Sequence, residues 1–212
     1  MSHLDTKLHK KAAFTYALTT ATIAVFVSAC SLLYSYIFTG RSFQNLFFSL
    51  YGVIFYFGIG LCTGIYMSTL QKDLKTKLIF ILCTAIGSAL PMASICIFTK
   101  AGPISLIFFL AGCAGTGLLL SLTLRDVRAA VVLSFLALGG LISSLYLCSI
   151  VFSLITPNIP KIGNYLIIVD LYIIFFNFFY SFFMGLSYYL IYKETRGKLL
   201  SARSKITIST TH

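Results

Sequence analysis

Histidine is missing from the interior of this 212-residue chain: its three copies, His3, His9 and His212, all stand near the ends. A Ser–His dyad, a haem ligand or an H-E-x-x-H zinc site therefore has no imidazole to work with inside the apolar segments. Acids are nearly as scarce, five Asp and Glu in all, and only Asp170 falls within an apolar run, so a pair of carboxylates sharing one proton is excluded too. No Gly-rich phosphate loop ending in Lys-Ser or Lys-Thr is present. These absences predict a protein that is not an enzyme, with no catalytic residues, no metal and no cofactor. Charge of either sign is low, 10% of residues against about 25% in soluble domains, while 58% are hydrophobic and the mean hydropathy is +0.95. A water-soluble core cannot hide that much apolar surface. Tryptophan is absent as well, so the interfacial aromatic belt is left to tyrosine: Tyr34, Tyr36 and Tyr165 at one set of ends, Tyr66, Tyr188, Tyr189 and Tyr192 at the other.

What is present is a repeating alternation of long apolar runs and cations. Six runs, at roughly 12–38, 46–70, 78–98, 104–124, 129–155 and 166–192, each suffice to cross about 30 Å of hydrocarbon at 1.5 Å per helical residue. Lys7, Lys10 and Lys11 precede the first; Lys72, Lys75 and Lys77 follow the second; Arg125 and Arg128 follow the fourth; Lys193, Arg196, Lys198, Arg203 and Lys205 follow the sixth. The remaining connections carry only Arg41, Lys100 and Lys161. The positive-inside bias then predicts an all-α integral membrane protein, a bundle of six transmembrane helices with both ends in the cytoplasm and no soluble domain. Fewer crossings would leave Lys75 and Lys77, or Arg125, Asp126 and Arg128, in lipid at about 2.5–3.5 kcal/mol each.

The expected organisation is a basic cytoplasmic N-terminus (1–11), a six-helix transmembrane domain (12–192) and a basic cytoplasmic tail (193–212). A net charge of +11 suggests nucleic acid in a soluble protein. Here the cations sit beside spans, so the expected partners are the bilayer, its anionic lipid at the cytoplasmic face and other membrane proteins, not nucleic acid. Short loops, Lys100-Ala101-Gly102-Pro103 and Thr156-Pro157-Asn158-Ile159-Pro160 among them, and a patch at Val27-Ser28-Ala29-Cys30 that resembles a lipoprotein cleavage box point to a bacterial inner membrane. After Cys30 the chain continues apolar to Phe38, which favours an uncleaved span. No two of the six cysteines have C-x-x-C spacing, so all are expected to be packing residues.

Because lipid supplies no hydrophobic drive between helices, small residues mark where backbones can meet. Ala13, Ala17 and Ala21 form such a stripe on the first span, Gly60 and Gly64 on the second, Gly112 and Gly115 on the fourth. They predict helix packing or a partner-binding face. Pro91 in the third span has no N–H, which frees the carbonyl of Gly87 and predicts a kink. On the sixth span Asp170, Asn177, Ser181, Gly185 and Tyr188 share one helical face. An acid in hydrocarbon points to a ligand or ion path through Asp170, Asn177, Ser181, Gly87 and Pro91. The other reading has Asp170 at the outer interface, paired with Lys161 or its loop.

Lys10-Lys11-Ala12-Ala13-Phe14-Thr15-Tyr16-Ala17 with Ala21 resembles the first helix of the substrate-binding S components of energy-coupling-factor vitamin transporters, a resemblance of about 20 residues plus topology. It implies an Ala-x-x-x-Ala face that docks a coupling subunit. Leu122-Thr123-Leu124-Arg125-Asp126 is similar to the charged turn after the fourth helix of the Bax-inhibitor family of calcium-leak proteins, whose seventh span and second membrane aspartate this chain lacks. The resulting expectation is a transport-related component that binds or passes a small solute, with spans one to three and four to six as oppositely oriented halves. The alternatives are a non-transporting scaffold or a divergent ion-leak protein.

Overall fold

The structure is a computed structural model, and it describes residues 3–39, 50–98, 104–122, 124, 126–155 and 165–209. Six helices account for nearly all of them, with no strand among the described residues: α1 (His3–Tyr34), α2 (Leu50–Met67), α3 (Leu74–Phe98), α4 (Ile104–Ser121), α5 (Val127–Ile155) and α6 (Tyr165–Ser209). Five are long and apolar enough to cross a membrane, and the described apolar stretch of α4, Leu110–Ser121, is shorter. The expected turns at 100–103 and 156–160, together with Arg41, Lys100, Arg125 and Lys161, lie outside the described residues.

Helix limits follow the capping chemistry. The run at 78–98 begins four residues earlier as α3, because Asp73 accepts hydrogen bonds from the backbone N–H of Thr76 (2.9 Å) and from its hydroxyl (3.0 Å). Those two bonds hold the exposed Asp73 carboxyl below its ordinary pKa of 3.8. Asp126 does the same for α5, accepting from the Arg128 N–H at 2.9 Å. At the other extreme α6 does not stop where the apolar run ends at Tyr192. It continues through the basic tail for 45 residues in all, about 68 Å, because Lys, Glu, Arg and Leu are good helix formers and only Gly197 interrupts them. The end of α1 loosens into a π-helical turn, Ser35–Thr39.

Each helix packs on its neighbours in the chain, and α6 returns to pack on α1, closing a ring. Five of the six seams are made by a small residue that admits a backbone or a short side chain. A Cβ on Gly60 would meet the Thr84 carbonyl oxygen at 2.5 Å, and one on Gly64 would meet Thr84 Cβ at 3.0 Å, between α2 and α3. Gly112 lies on the backbone of Pro91, where a Cβ would come within 2.9 Å, between α3 and α4. Gly117 abuts the backbone of Leu133 and Ser134 on α5, and Gly140 faces Phe183 on α6. Gly185 lies against Thr20 and the Cα of Ala17, in the seam where Ala13, Ala17 and Ala21 are all buried. The α1–α2 seam is different: tyrosines tie it, Tyr16 donating to the Met67 carbonyl at 2.8 Å and Tyr51 to the Ser31 carbonyl at 3.1 Å.

The outside of the ring is greasy. Phe26, Phe135 and Tyr146 are each about 70% exposed, and similar apolar residues line the outer face of every helix described. Large apolar groups turned outward, with Thr20, Thr63, Thr84, Thr116 and Ser144 buried within, is the reverse of a soluble bundle and suits a hydrocarbon surround.

Candidate functional site

One end of the ring is sealed by aromatic residues. Tyr16, Phe80, Tyr188, Tyr189 and Tyr192 cluster with Met67, Leu120, Leu133 and Met184. The start of α1, the end of α2, the start of α3, the end of α4, the start of α5 and the late part of α6 therefore all meet there. Three hydroxyls of this plug fasten the 67–71 connection: Tyr16 and Tyr192 donate to the carbonyls of Met67 and Leu70, while Tyr188 accepts from Gln71 Nε2 at 2.5 Å. Lys193 and Arg196 lie over the rings of Tyr189 and Tyr192, at 5.8 and 5.3 Å from their centroids. The cations Lys10, Lys11, Lys72, Lys75, Lys77 and Arg128 belong to the segments that converge at this end.

Above the plug the axis of the ring is hollow. The cavity has a volume of about 400 Å³ and takes side chains from all six helices. Met67, Leu120 and Met184 form its floor on the plug. Tyr56, Tyr172, Phe176 and Tyr180 supply flat aromatic surface, and among the described residues no charged one lines it.

Its polar groups are mostly hydroxyls, with the Asn177 amide and the Cys113 thiol among them, and several of the hydroxyls are already engaged. Thr20, Thr63 and Thr84 each donate to the carbonyl one turn back, at 2.9, 2.8 and 2.7 Å. Thr116 donates across to the Gly87 carbonyl of α3 at 2.7 Å and, more weakly, to its own Gly112 carbonyl at 3.2 Å. That carbonyl is the one Pro91 cannot bond; α3 continues as helix through the proline, and α4 supplies the missing donor. The Tyr180 hydroxyl is buried near Thr116 and has no hydrogen-bond partner among the described residues.

The residues singled out from sequence fall in two places. Asn177, Ser181 and Pro91 line the cavity, and Gly87 sits at its wall against Thr116. The Asn177 amide donates to Ser28 Oγ at 2.9 Å and interacts with the Tyr56 hydroxyl, joining α6 to α1 and α2. Asp170 is not in the cavity wall. It is buried, at 6% exposure, where α6 meets the π-helical turn of α1, and Tyr36 donates to its Oδ2 at 2.5 Å. Its Oδ1 has no partner among the described residues, and Lys161, its other expected partner, lies outside them. Ala13, Ala17, Ala21, Gly60, Gly64 and Gly112 are buried inside the ring, and Gly115 is half-buried beside Leu90.

Tyr36, Tyr56, Thr63, Thr84, Thr116 and Tyr180 were not distinguishable by residue type alone. The available signal is hydroxyls beside glycines at three- and four-residue spacing, as in Gly60-Thr63-Gly64 and Gly112-Gly115-Thr116. The residues fit neither a metal nor a nucleophilic centre: no group of three His, Cys, Asp or Glu comes together among the described residues, and the cavity holds no base. Compared with protein families, curated proteins and solved structures, the chain matches none, so what can be said of the site rests on its own geometry.

Proposed function

We propose that this chain is a six-span membrane protein, with both ends on the cytoplasmic side, that binds a small solute in its axial cavity as a component of a transport process. The observation that carries the proposal is the cavity itself: about 400 Å³, lined by side chains of all six helices and within the range of small-molecule sites. A bundle that only had to be stable would close such a space, since each unfilled methyl-sized void costs about 1 kcal/mol. The sixth crossing is α4, whose 18 residues suffice for about 27 Å. Orientation follows from the cations gathered at the tyrosine-plugged end, which faces the cytoplasm and its anionic lipid. The short loops favour a bacterial inner membrane. In this orientation the plug is a closed cytoplasmic end.

The scaffold reading asks the small-residue stripes to serve a partner, and Ala17 and Ala21, both fully buried, are already used by α6 and the ring. Native mass spectrometry of the protein extracted from its own membrane in mild detergent tests the proposal. A solute retained by the wild type and absent from Met92→Trp, which fills the cavity, is the expected result. A protein that carries no small molecule but co-purifies stoichiometrically with other membrane proteins, unaffected by Met92→Trp, refutes it.

A further inference from the structure

The direction of the hydrogen bonds in the cavity says which solutes it suits, an inference that rests on reading the cavity as a solute site. A carbonyl oxygen cannot donate, so each threonine hydroxyl bonded to one has spent its single proton. Thr20, Thr63, Thr84 and Thr116 are all in this state, so what they present to the cavity is lone pairs. Of the two Asn177 Nδ2 protons one goes to Ser28, and the same side chain also meets the Tyr56 hydroxyl. Among the described residues no Lys, Arg, Asp or Glu lines the wall, and a charge placed there loses its hydration without a counter-ion. The other hydroxyls of the wall are those of Ser88, Ser181, Tyr56, Tyr172 and Tyr180, of which Tyr180, without a partner among the described residues, keeps a proton that a solute acceptor could take; the rest of the surface is apolar and aromatic. Apart from Met1, every methionine in the chain, Met67, Met92 and Met184, faces it, and thioethers adapt to flat rings and make favourable sulfur–aromatic contacts.

We infer that the cavity takes an uncharged, mainly apolar and ring-bearing molecule that brings its own hydrogen-bond donor, an N–H or O–H, to the acceptor faces of Thr63 and Thr84. A volume of 400 Å³ equals the space of about 13 waters and admits a molecule on the order of 15–20 non-hydrogen atoms. Such a molecule reaches the site either from water or from the bilayer, and its chemistry is the same from both.

Three tricyclic probes of one shape separate the terms: 1-aminoanthracene, uncharged at neutral pH with an N–H donor; 1-methylanthracene, with none; and anthracene-1-carboxylate, charged. Saturable fluorescence binding is measured in nanodiscs against empty nanodiscs, which removes partition into lipid. The amine should bind about two- to tenfold tighter than the methyl compound, the net value of one hydrogen bond, and the carboxylate should show no saturable site. Thr63→Val with Thr84→Val removes only hydroxyls whose carbonyls keep their own helical partners, so folding survives and the amine's advantage should vanish. Equal binding of amine and methyl compound, an advantage that survives the double variant, or saturable carboxylate binding would each overturn the inference. If the carboxylate binds and Met92→Trp abolishes it, the cavity remains a solute site and only the chemical class is wrong. If no probe binds saturably the class is wrong as well, and whether the cavity holds any solute is decided independently by the mass-spectrometry comparison. Binding that depends on delivering the probe in the lipid rather than the buffer identifies the bilayer as the source.

Discussion

Thr116→Val is the sharpest test of how the ring is held. The change keeps the volume of the side chain and removes one donor, leaving the buried Gly87 carbonyl without a partner, since Pro91 offers no N–H. An unsatisfied buried acceptor costs about 1–3 kcal/mol in soluble proteins. Interhelical hydrogen bonds in membranes average about 0.6 kcal/mol and reach about 1.7, because an unfolded helix in lipid finds other partners. Here it does not: α3 carries its proline in the unfolded state too, so the Gly87 carbonyl has no intrahelical donor in either state. The cost should therefore sit near the top of the membrane range, about 1.5 kcal/mol. Pro91→Ala restores an N–H to that carbonyl and leaves the backbone on which Gly112 packs, so in that background Thr116→Val should cost about 0.5 kcal/mol or less. The predicted coupling is about 1 kcal/mol. Reversible unfolding in mixed micelles measures it, with Thr22→Val as the control, because Thr22 is exposed on the outer face and bonds only to the Leu18 carbonyl of its own helix. Additive costs for Thr116→Val and Pro91→Ala would refute the argument that the proline creates the acceptor that α4 satisfies.

Other perturbations have equally definite signs. Gly117→Ala drives a Cβ into the backbone of Leu133 and Ser134 and should destabilise by about 1–3 kcal/mol, whereas Gly139→Ala, with nothing within 4 Å, should stay within about 0.5 kcal/mol of wild type in the same assay. Tyr36→Phe leaves both Asp170 oxygens without a described partner and should cost more than Tyr36→Phe combined with Asp170→Asn, which also removes the acid; equal costs would show that the burial of Asp170 carries no penalty. The Asp73 cap sets a pH dependence. Its pKa is depressed by the Thr76 bonds, so its contribution is present above 3.8 and is lost only as pH falls through the lower folded value. Asp73→Ala should then lower stability equally from pH 5 to 8 and begin to converge on wild type only as pH falls below 3.8.

The helices were legible because hydrocarbon imposes a length and cations interrupt it. Hydropathy located all six elements within a few residues at most boundaries, and the larger differences have local causes. The start of α3 moved outward because Asp73 and Thr76 form a cap, a two-residue signal that a hydropathy window averages away. The basic tail stayed helical because charge ends a span without ending a helix, and nothing in the run from Tyr192 to Ser209 breaks one except Gly197. Which helix meets which was not legible. A stripe such as Ala13, Ala17 and Ala21 states that a backbone can approach, and only the closed ring assigns that backbone to α6.

The candidate site shows the same limit from the other side. Asp170 drew attention because an acid in lipid is expensive, yet it lies beyond the cavity wall, while the wall is built of threonines, tyrosines and methionines that hydropathy counts as ordinary span residues. The reason is energetic. A threonine that returns its proton to its own helix costs little in lipid, so it can be placed anywhere along a span without leaving a charge-like mark in the sequence. What distinguishes Thr63 and Thr84 from Thr19 and Thr22, which make the same bond, is only the side of the helix they occupy: the first two are buried toward the axis and the last two face outward or lie at the ring's edge. Seam chemistry follows that same division. Five seams bring helices close through glycine or alanine, four of them onto backbone and the α5–α6 seam onto the Cβ of Phe183. The α1–α2 seam is held by tyrosine side chains, whose hydroxyl bonds break without unpacking a backbone.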